Sequence, residues 1–259
     1  MRGIVLLIIT ILIGTCLPGK AFSESVLALP TVYSANSIIK DQQGNTYIAG
    51  VKESKIYKLD RTGKLSVYAG SGVASFKDGS VTEAQFRNPY AVAIDSLGNV
   101  FVADSGNNSI RKIHPKTGMV STFAGTLTTG DKDGKGALAE FNFPVGLVID
   151  HNDNLFISDQ RNHRIRKIDK YGKVSTVAGS ETSGYQDGNE HQSLFSYPGA
   201  LALDLKGNLY VLDTGNKQLR RINHSGIVKT ITDPQDNHSN LAIPKPAVDI
   251  ERIAMVNIN

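Results

Sequence analysis

The chain copies itself every 54 or 55 residues: Asp41, Asp95, Asp150 and Asp204 recur at spacings of 54, 55 and 54, and the turn pairs Gly44-Asn45, Gly98-Asn99, Asp153-Asn154 and Gly207-Asn208 follow in step. A period of that length marks one supersecondary unit used repeatedly, each copy burying its apolar surface against the next. The repeated positions are turn, strand and packing positions. They specify a scaffold, not a chemistry.

Within a unit the pattern is four short strands and three turns. In the third copy, apolar runs at 146–150 and 155–159 flank a turn, and runs at 163–169 and 173–179 flank a tighter one at Tyr171-Gly172. Gly63, Gly118 and Gly226 stand at the equivalent of Gly172, as expected where a hairpin needs positive φ. Runs of four to seven residues ending at Gly, Asn or Asp favour strands over helices. Alternation is weak in the first strands, "AVAID" and "ALALD", so both faces of those strands are expected to be covered, as in sheets stacked radially like blades. The fold class expected is all-β, built of four-stranded antiparallel blades.

Three units end in a long connection that aligns without gaps, at 69–89, 124–144 and 178–198. Each carries an Asp-Gly turn (Asp78-Gly79, Asp133-Gly134, Asp187-Gly188), a phenylalanine eight residues after the aspartate (Phe86, Phe141, Phe195), and then Pro89, Pro144 or Pro198. We read this as a loop pinned by one buried phenylalanine, with proline fixing φ at the entry to the next first strand.

The segments "NPYAVAIDSLGNVFVADSGNNSIRKIHPKTGMVSTFAG", "FPVGLVIDHNDNLFISDQRNHRIRKIDKYGKVSTVAG" and "YPGALALDLKGNLYVLDTGNKQLRRINHSGIVKTIT" resemble NHL repeats. The "AG…DG…F…P" connections are similar to those of bacterial secreted NHL proteins and of teneurin-type propellers. The resemblance spans about residues 33–233 and implies a β-propeller, with repeats at about 33–88, 89–143, 144–197 and 198–233 and an irregular segment at 234–259. The first copy diverges most: Gly50 replaces the second-strand aspartate, Glu53 the loop asparagine, and Tyr57 the third-strand arginine. Relatives with six blades need roughly 325 residues at this period. A compact ring of four blades with a partial fifth, an open arc and a shortened chain all remain open, and the compact ring is favoured. Residues 25–32 are a candidate closing strand.

The amino terminus reads as a secretory signal peptide over 1–23: Arg2, an uncharged and mostly apolar stretch from Gly3 to Leu17, then Ala21-Phe22-Ser23 before cleavage. That leaves a single domain at 24–259, periplasmic or secreted, with no retained membrane span expected. Cleavage removes the one cysteine, Cys16, so disulfides and thiol catalysis are not expected. Loss of Arg2 and Lys20 takes the formal charge from +4 to +2, too little to argue for nucleic acid.

Arg111, Arg166 and Arg220 each lie seven residues after Asp104, Asp159 and Asp213. A basic stripe for an anionic polymer is one interpretation. The favoured one pairs each aspartate with an arginine of its own or a neighbouring blade. Asp150 to Asn154 begins like a calcium loop but lacks the glycine and the closing glutamate, so a hairpin is expected. None of the six histidines recurs from blade to blade, and no metal site or cofactor is expected.

In an up-and-down blade, the turn between strands two and three emerges at the same end as the link to the next blade. That loop face gathers 71–88, 126–143 and 180–197 with Asn107, Asn108, Asn162, His163, Asn216 and Lys217, and its variable members are Phe76, Tyr185 and His191. These nine are the candidate ligand-binding residues; no catalytic residue is assigned. The function expected is a non-catalytic exported scaffold for a protein, peptide or glycan, with nucleic acid not expected as partner. The alternative is a propeller enzyme resembling lactonases, lyases or strictosidine-synthase-like proteins, with metal or acidic ligands in the central channel. The first strands offer almost none, so catalysis would fall to strand-end residues such as Asn36, Asn88 or Asn142.

Overall fold

Each unit begins with one turn chemistry. The Asp95 carboxylate accepts the backbone N–H of Asn99 at 2.8 Å and its side-chain amide at 2.6 Å, closing a hairpin in which Gly98 takes φ +80°. Asp41, Asp150 and Asp204 do the same for Asn45, Asn154 and Asn208. Such side-chain turns stop one strand and reverse into the next. In the third unit Asp153 replaces the glycine at φ +61°, and its carboxylate accepts the N–H and hydroxyl of Ser96 from the preceding unit's turn. The would-be calcium loop is therefore a hairpin clasped to its neighbour.

The computed structural model describes residues 35–231. The signal peptide expected at 1–23, the candidate closing strand at 25–32 and the irregular segment at 234–259 lie outside the described residues.

Blade 1 comprises β1 (Ala35–Lys40), β2 (Thr46–Gly50), β3 (Lys55–Leu59) and β4 (Leu65–Ala69), and its outgoing link holds the two-residue strand β5 (Gly79–Ser80). Blade 2 comprises β6 (Pro89–Ile94), β7 (Val100–Asp104), β8 (Ser109–Ile113) and β9 (Met119–Ala124), followed by β10 (Gly134–Lys135). Blade 3 comprises β11 (Pro144–Ile149), β12 (Leu155–Asp159), β13 (Arg164–Ile168) and β14 (Lys173–Gly179). Blade 4 comprises β15 (Pro198–Leu203), β16 (Leu209–Asp213), β17 (Gln218–Ile222) and β18 (Val228–Thr230). All pairings are antiparallel between sequential strands, and β5 and β10 add a short outer edge to blades 2 and 3 through β9 and β14. The result is an all-β, four-bladed β-propeller.

The core lies between blades, not within one. Tyr47, Ala49 and Ile56 of blade 1 pack with Val92, Val102 and Ile113 of blade 2. Phe101 and Ile110 pack with Leu147, Ile157 and Ile168 across the second junction, and Val148 and Ile165 pack with Leu201, Val211 and Ile222 across the third. Each junction also receives one phenylalanine from the link, Phe86, Phe141 or Phe195, all with no exposed surface. Burying such a ring contributes roughly 1.5–3 kcal/mol. Among the described residues no junction of this kind joins blade 4 to blade 1. Leu219 is accordingly half-buried, whereas its counterparts Ile56, Ile110 and Ile165 are fully enclosed.

Candidate functional site at the loop face

The polar positions that repeat are consumed by one internal cassette, built three times. In blade 3, Asp159 accepts the N–H of Asn142 at 2.8 Å, the side-chain amide of Asn162 at 2.7 Å and Nη1 of Arg166 at 2.7 Å. Nη2 of Arg166 donates to Asp133 at 2.7 Å and to the carbonyl of Lys132 at 3.0 Å, so the arginine ties its strand to the link that precedes its blade. Asp133 also accepts the N–H of Thr176 at 3.0 Å. Asp104, Asn107, Arg111 and Asp78 repeat this arrangement in blade 2, and Asp213, Asn216, Arg220 and Asp187 in blade 4.

All three arginines are fully buried, with Phe86, Phe141 and Phe195 lying 5.0–5.3 Å from the guanidinium carbons. Four of the five donors on each are satisfied, and Nε has no acceptor among the described residues. These cations pack the junctions, so a basic stripe for an anionic polymer is not what they form. Burial pushes the Asp159 carboxyl up to about 6, against the pull of Arg166 and of the Asn142 and Asn162 donors. Burial raises Asp104 as well. Asp187 lies below its ordinary range: burial works the other way, but the amide and hydroxyl of Thr230 and the Arg220 guanidinium outweigh it.

The expected loop-face residues fall into three groups. Asn107, Asn162 and Asn216 belong to the cassettes, and each also donates to a carbonyl of the preceding link, Ser75, Gly130 or Gly184. Those bonds place the first part of each link beside the turn between strands two and three, whereas its Asp-Gly part pairs at the opposite end, beside the turn between strands three and four. Asn108, His163 and Lys217 end the short 3-10 turns in the left-handed region, at φ +49°, +54° and +55°. The Asn108 side-chain oxygen accepts the N–H of Phe143, and Nδ1 of the buried His163 accepts that of Tyr197. Phe143 and Tyr197 are themselves held at φ +57° and +49° just before proline, a strained placement that sequence reading missed. Burial lowers the His163 imidazole, partly offset by Asp213.

Phe76 and Tyr185 lie over the guanidinium groups of Arg111 at 4.5 Å and Arg220 at 5.1 Å, while His191 is exposed beside Glu190 at 3.2 Å. Gly188 exchanges backbone hydrogen bonds with Val228 beside the turn between strands three and four, and the Glu190 side chain lies against Gly226 of that turn, so His191 stands toward the opposite end of blade 4 from Asn216 and Lys217 and the nine residues do not gather at one place.

A channel cavity of about 230 Å³ is lined by first strands of all four blades: Ile38 and Ile39, Ala91 and Val92, Val145 to Leu147, and Gly199 to Leu201. Its polar side chains are Ser37, Tyr90 and Gln160, with no carboxylate, imidazole or thiol lining it among the described residues. Of the strand-end asparagines, Asn88 is exposed and Asn142 supplies its N–H to Asp159; the side chain of Asn36 lies outside the described residues. Among the described residues, no three His, Cys, Asp or Glu side chains are grouped to hold a metal, and no helix is long and apolar enough to cross a membrane.

A second cavity, of about 300 Å³, opens on the loop face between blades 2 and 3. Gly130, Asp131, Arg161, Asn162 and Glu181 line it. Arg164 pairs with Asp131 at 2.5 Å and reaches Glu181 at 3.4 Å. Asp131 is held below the ordinary carboxylate range: burial opposes this, and Arg164 overcomes it. Sequence reading put Gly130, Asp131 and Glu181 within the loop-face links but singled out only Asn162. The signal available was a break in the repeat at their positions.

The family model for the NHL repeat matches residues 86–113 and 141–168, which are blade 2 and blade 3 from the link phenylalanine to the end of the third strand. The chain is 30% identical over 188 residues to Protein SUPPRESSOR OF QUENCHING 1, chloroplastic, of Arabidopsis thaliana, covering 68% of this chain and 18% of that protein. It is 31% identical over 168 residues to human NHL repeat-containing protein 2, covering 59% of this chain and 23% of the relative. The chain thus spans less than a quarter of the length of these relatives.

Among solved structures, an auxiliary nutrient binding protein from Bacteroides ovatus aligns with a TM-score of 0.56 at 21% identity, over 73% of this chain and 46% of that one. A streptogramin B lyase aligns with a TM-score of 0.54 at 18% identity, over 81% of this chain and 58% of that one. At such identities the likeness is one of fold. Register, blade geometry and family match agree: blades 2 and 3 are NHL repeats, set in a β-propeller.

Proposed function

We propose that this chain is an exported, non-catalytic binding scaffold that engages a protein, peptide or glycan on its loop face, residues 1–23 serving as the signal peptide. The observation that carries this reading is the channel lining. Among the described residues it offers apolar side chains, backbone and the polar side chains of Ser37, Tyr90 and Gln160 but no carboxylate, imidazole, thiol or amine, while the buried carboxylates nearby are spent on arginines and amides. General acid–base or metal-assisted chemistry needs such groups placed at the reacting centre. The loop face instead presents the turns between strands two and three and the adjoining parts of three long links on rigid blades, the usual place for recognition on a repeat scaffold.

The test uses mature protein as bait in envelope extract, alongside elemental analysis and a panel of lactone and ester substrates. A specific partner retained by the parent and lost from a Lys217→Glu variant supports the scaffold. Stoichiometric metal together with turnover overturns it in favour of a propeller enzyme.

A further inference from the structure

Four register positions around blade 3 break the repeat together. Two residues before the Asp-Gly turn, the other links carry Phe76 and Tyr185, whose rings cover Arg111 and Arg220; the second link carries Asp131. In the turn between strands two and three, Gly106 and Gly215 press so closely on the preceding link that a Cβ would overlap Arg87 or Ser196. Blade 3 has Arg161 there. Arg164 stands where blades 2 and 4 have Ser109 and Gln218, and Glu181 stands where the earlier links have Gly72 and Leu127. Blade 2 carries Phe76, Gly106, Ser109 and Leu127 at the same positions, so the fold does not require these charges.

The four side chains meet in space. Asp131, Arg161 and Glu181 line the 300 Å³ loop-face cavity, and Arg164 bridges the two carboxylates. Arg161 is exposed, lies 4.5 Å over the Phe143 ring and forms no ion pair among the described residues. Phe143 stands edge-on to Tyr90 of the channel wall at 5.4 Å. A guanidinium propped on an aromatic ring keeps its N–H fork free and oriented.

Resting on the loop-face reading above, we infer that this cavity binds one residue of a neutral oligosaccharide. The set carries two cations and two anions, so a ligand of either net charge meets a like charge. A sugar is neutral and offers vicinal hydroxyls that donate to a carboxylate and accept from a guanidinium fork, and charge-assisted hydrogen bonds of that kind are the stronger ones.

The experiment titrates the full mature protein with maltohexaose, laminarihexaose, cellohexaose, xylohexaose and chitohexaose. Hexagalacturonate and free glycine serve as anionic and zwitterionic comparators. Binding is read by calorimetry and by backbone amide shifts of Gly130, Asp131 and Asn162. At least one neutral hexasaccharide is expected to shift those amides. An Arg161→Gly/Asp131→Tyr variant, which installs the residues of blade 4's own junction, is expected to bind it at least tenfold more weakly with an unchanged melting temperature. Silence across the neutral panel, undiminished binding by the variant, or binding confined to a charged probe overturns the assignment. If one of those outcomes occurs while the parent protein still captures a protein partner, the saccharide assignment falls and the scaffold reading stands.

Discussion

Replacing Arg166 by methionine tests whether the buried cassettes hold the links to the blades. Arg166 and Asp159 are both fully buried, and the arginine donates to Asp159, Asp133 and the carbonyls of Glu140 and Lys132. Methionine fills much of the volume but leaves the Asp159 carboxylate without a counter-charge in a dry site, which costs about 3–5 kcal/mol when one member of a buried pair is removed. In urea, with a slope near 2 kcal/mol per molar, that is a fall in midpoint of about 2 M, followed by far-UV circular dichroism. Asp159→Asn in the same background removes the stranded charge, so the double variant is expected to recover at least about 1 kcal/mol. Hydrogen exchange should show the loss concentrated in link 125–143. A single-variant cost below about 1 kcal/mol, or no recovery in the double variant, would refute the assignment of the cassette as the fastener.

Asp159 makes a pH prediction. Its folded value is raised from 3.8 to about 6, so between those values the folded protein binds a proton that the unfolded chain releases. Stability therefore falls as pH rises through that window, by on the order of 3 kcal/mol in total, and carbon-13 titration of the Asp159 carboxyl with a midpoint near the ordinary value would contradict this. Asp131 and Asp187 act oppositely: their contribution is present above the ordinary value and is lost as pH falls through their lowered ones. Two glycines of similar φ separate backbone strain from packing. Gly63→Ala meets nothing within 4 Å at φ +85° and is expected to cost about 1 kcal/mol, whereas Gly125→Ala at φ +109° brings a Cβ to 2.6 Å from the Asn108 carbonyl and is expected to cost at least about 3 kcal/mol. Equal melting temperatures for the two would contradict the packing account.

Much of the blade was legible in the residues themselves. Turn aspartates, asparagines and glycines act within five residues of one another, so Asp95 and Asn99 announce their hairpin locally. The link phenylalanines repeat because every junction has the same hole to fill. The favoured pairing of Asp159 with Arg166 was legible from a constant seven-residue spacing. Its second partner, Asp133, lies 33 residues away in the link of the preceding blade, and no local pattern announces that contact. Phe76 and Tyr185 read as variable members of the loop face; Tyr185 is exposed, and both rings lie over buried guanidinium groups, a contact no local pattern announces. The Arg161 cavity was missed for the complementary cause: a search for what repeats passes over the place where the repeat is broken.

The sequence alone determined the unit, its strands and turns, the number of clear copies and the family, because each depends on local backbone preference and on a period that survives translation along the chain. The tertiary structure decided which charges are buried, which asparagines are already committed, and where four non-repeating side chains meet. Those outcomes depend on distances between residues of different blades, and such distances are set by how the blades stack about an axis.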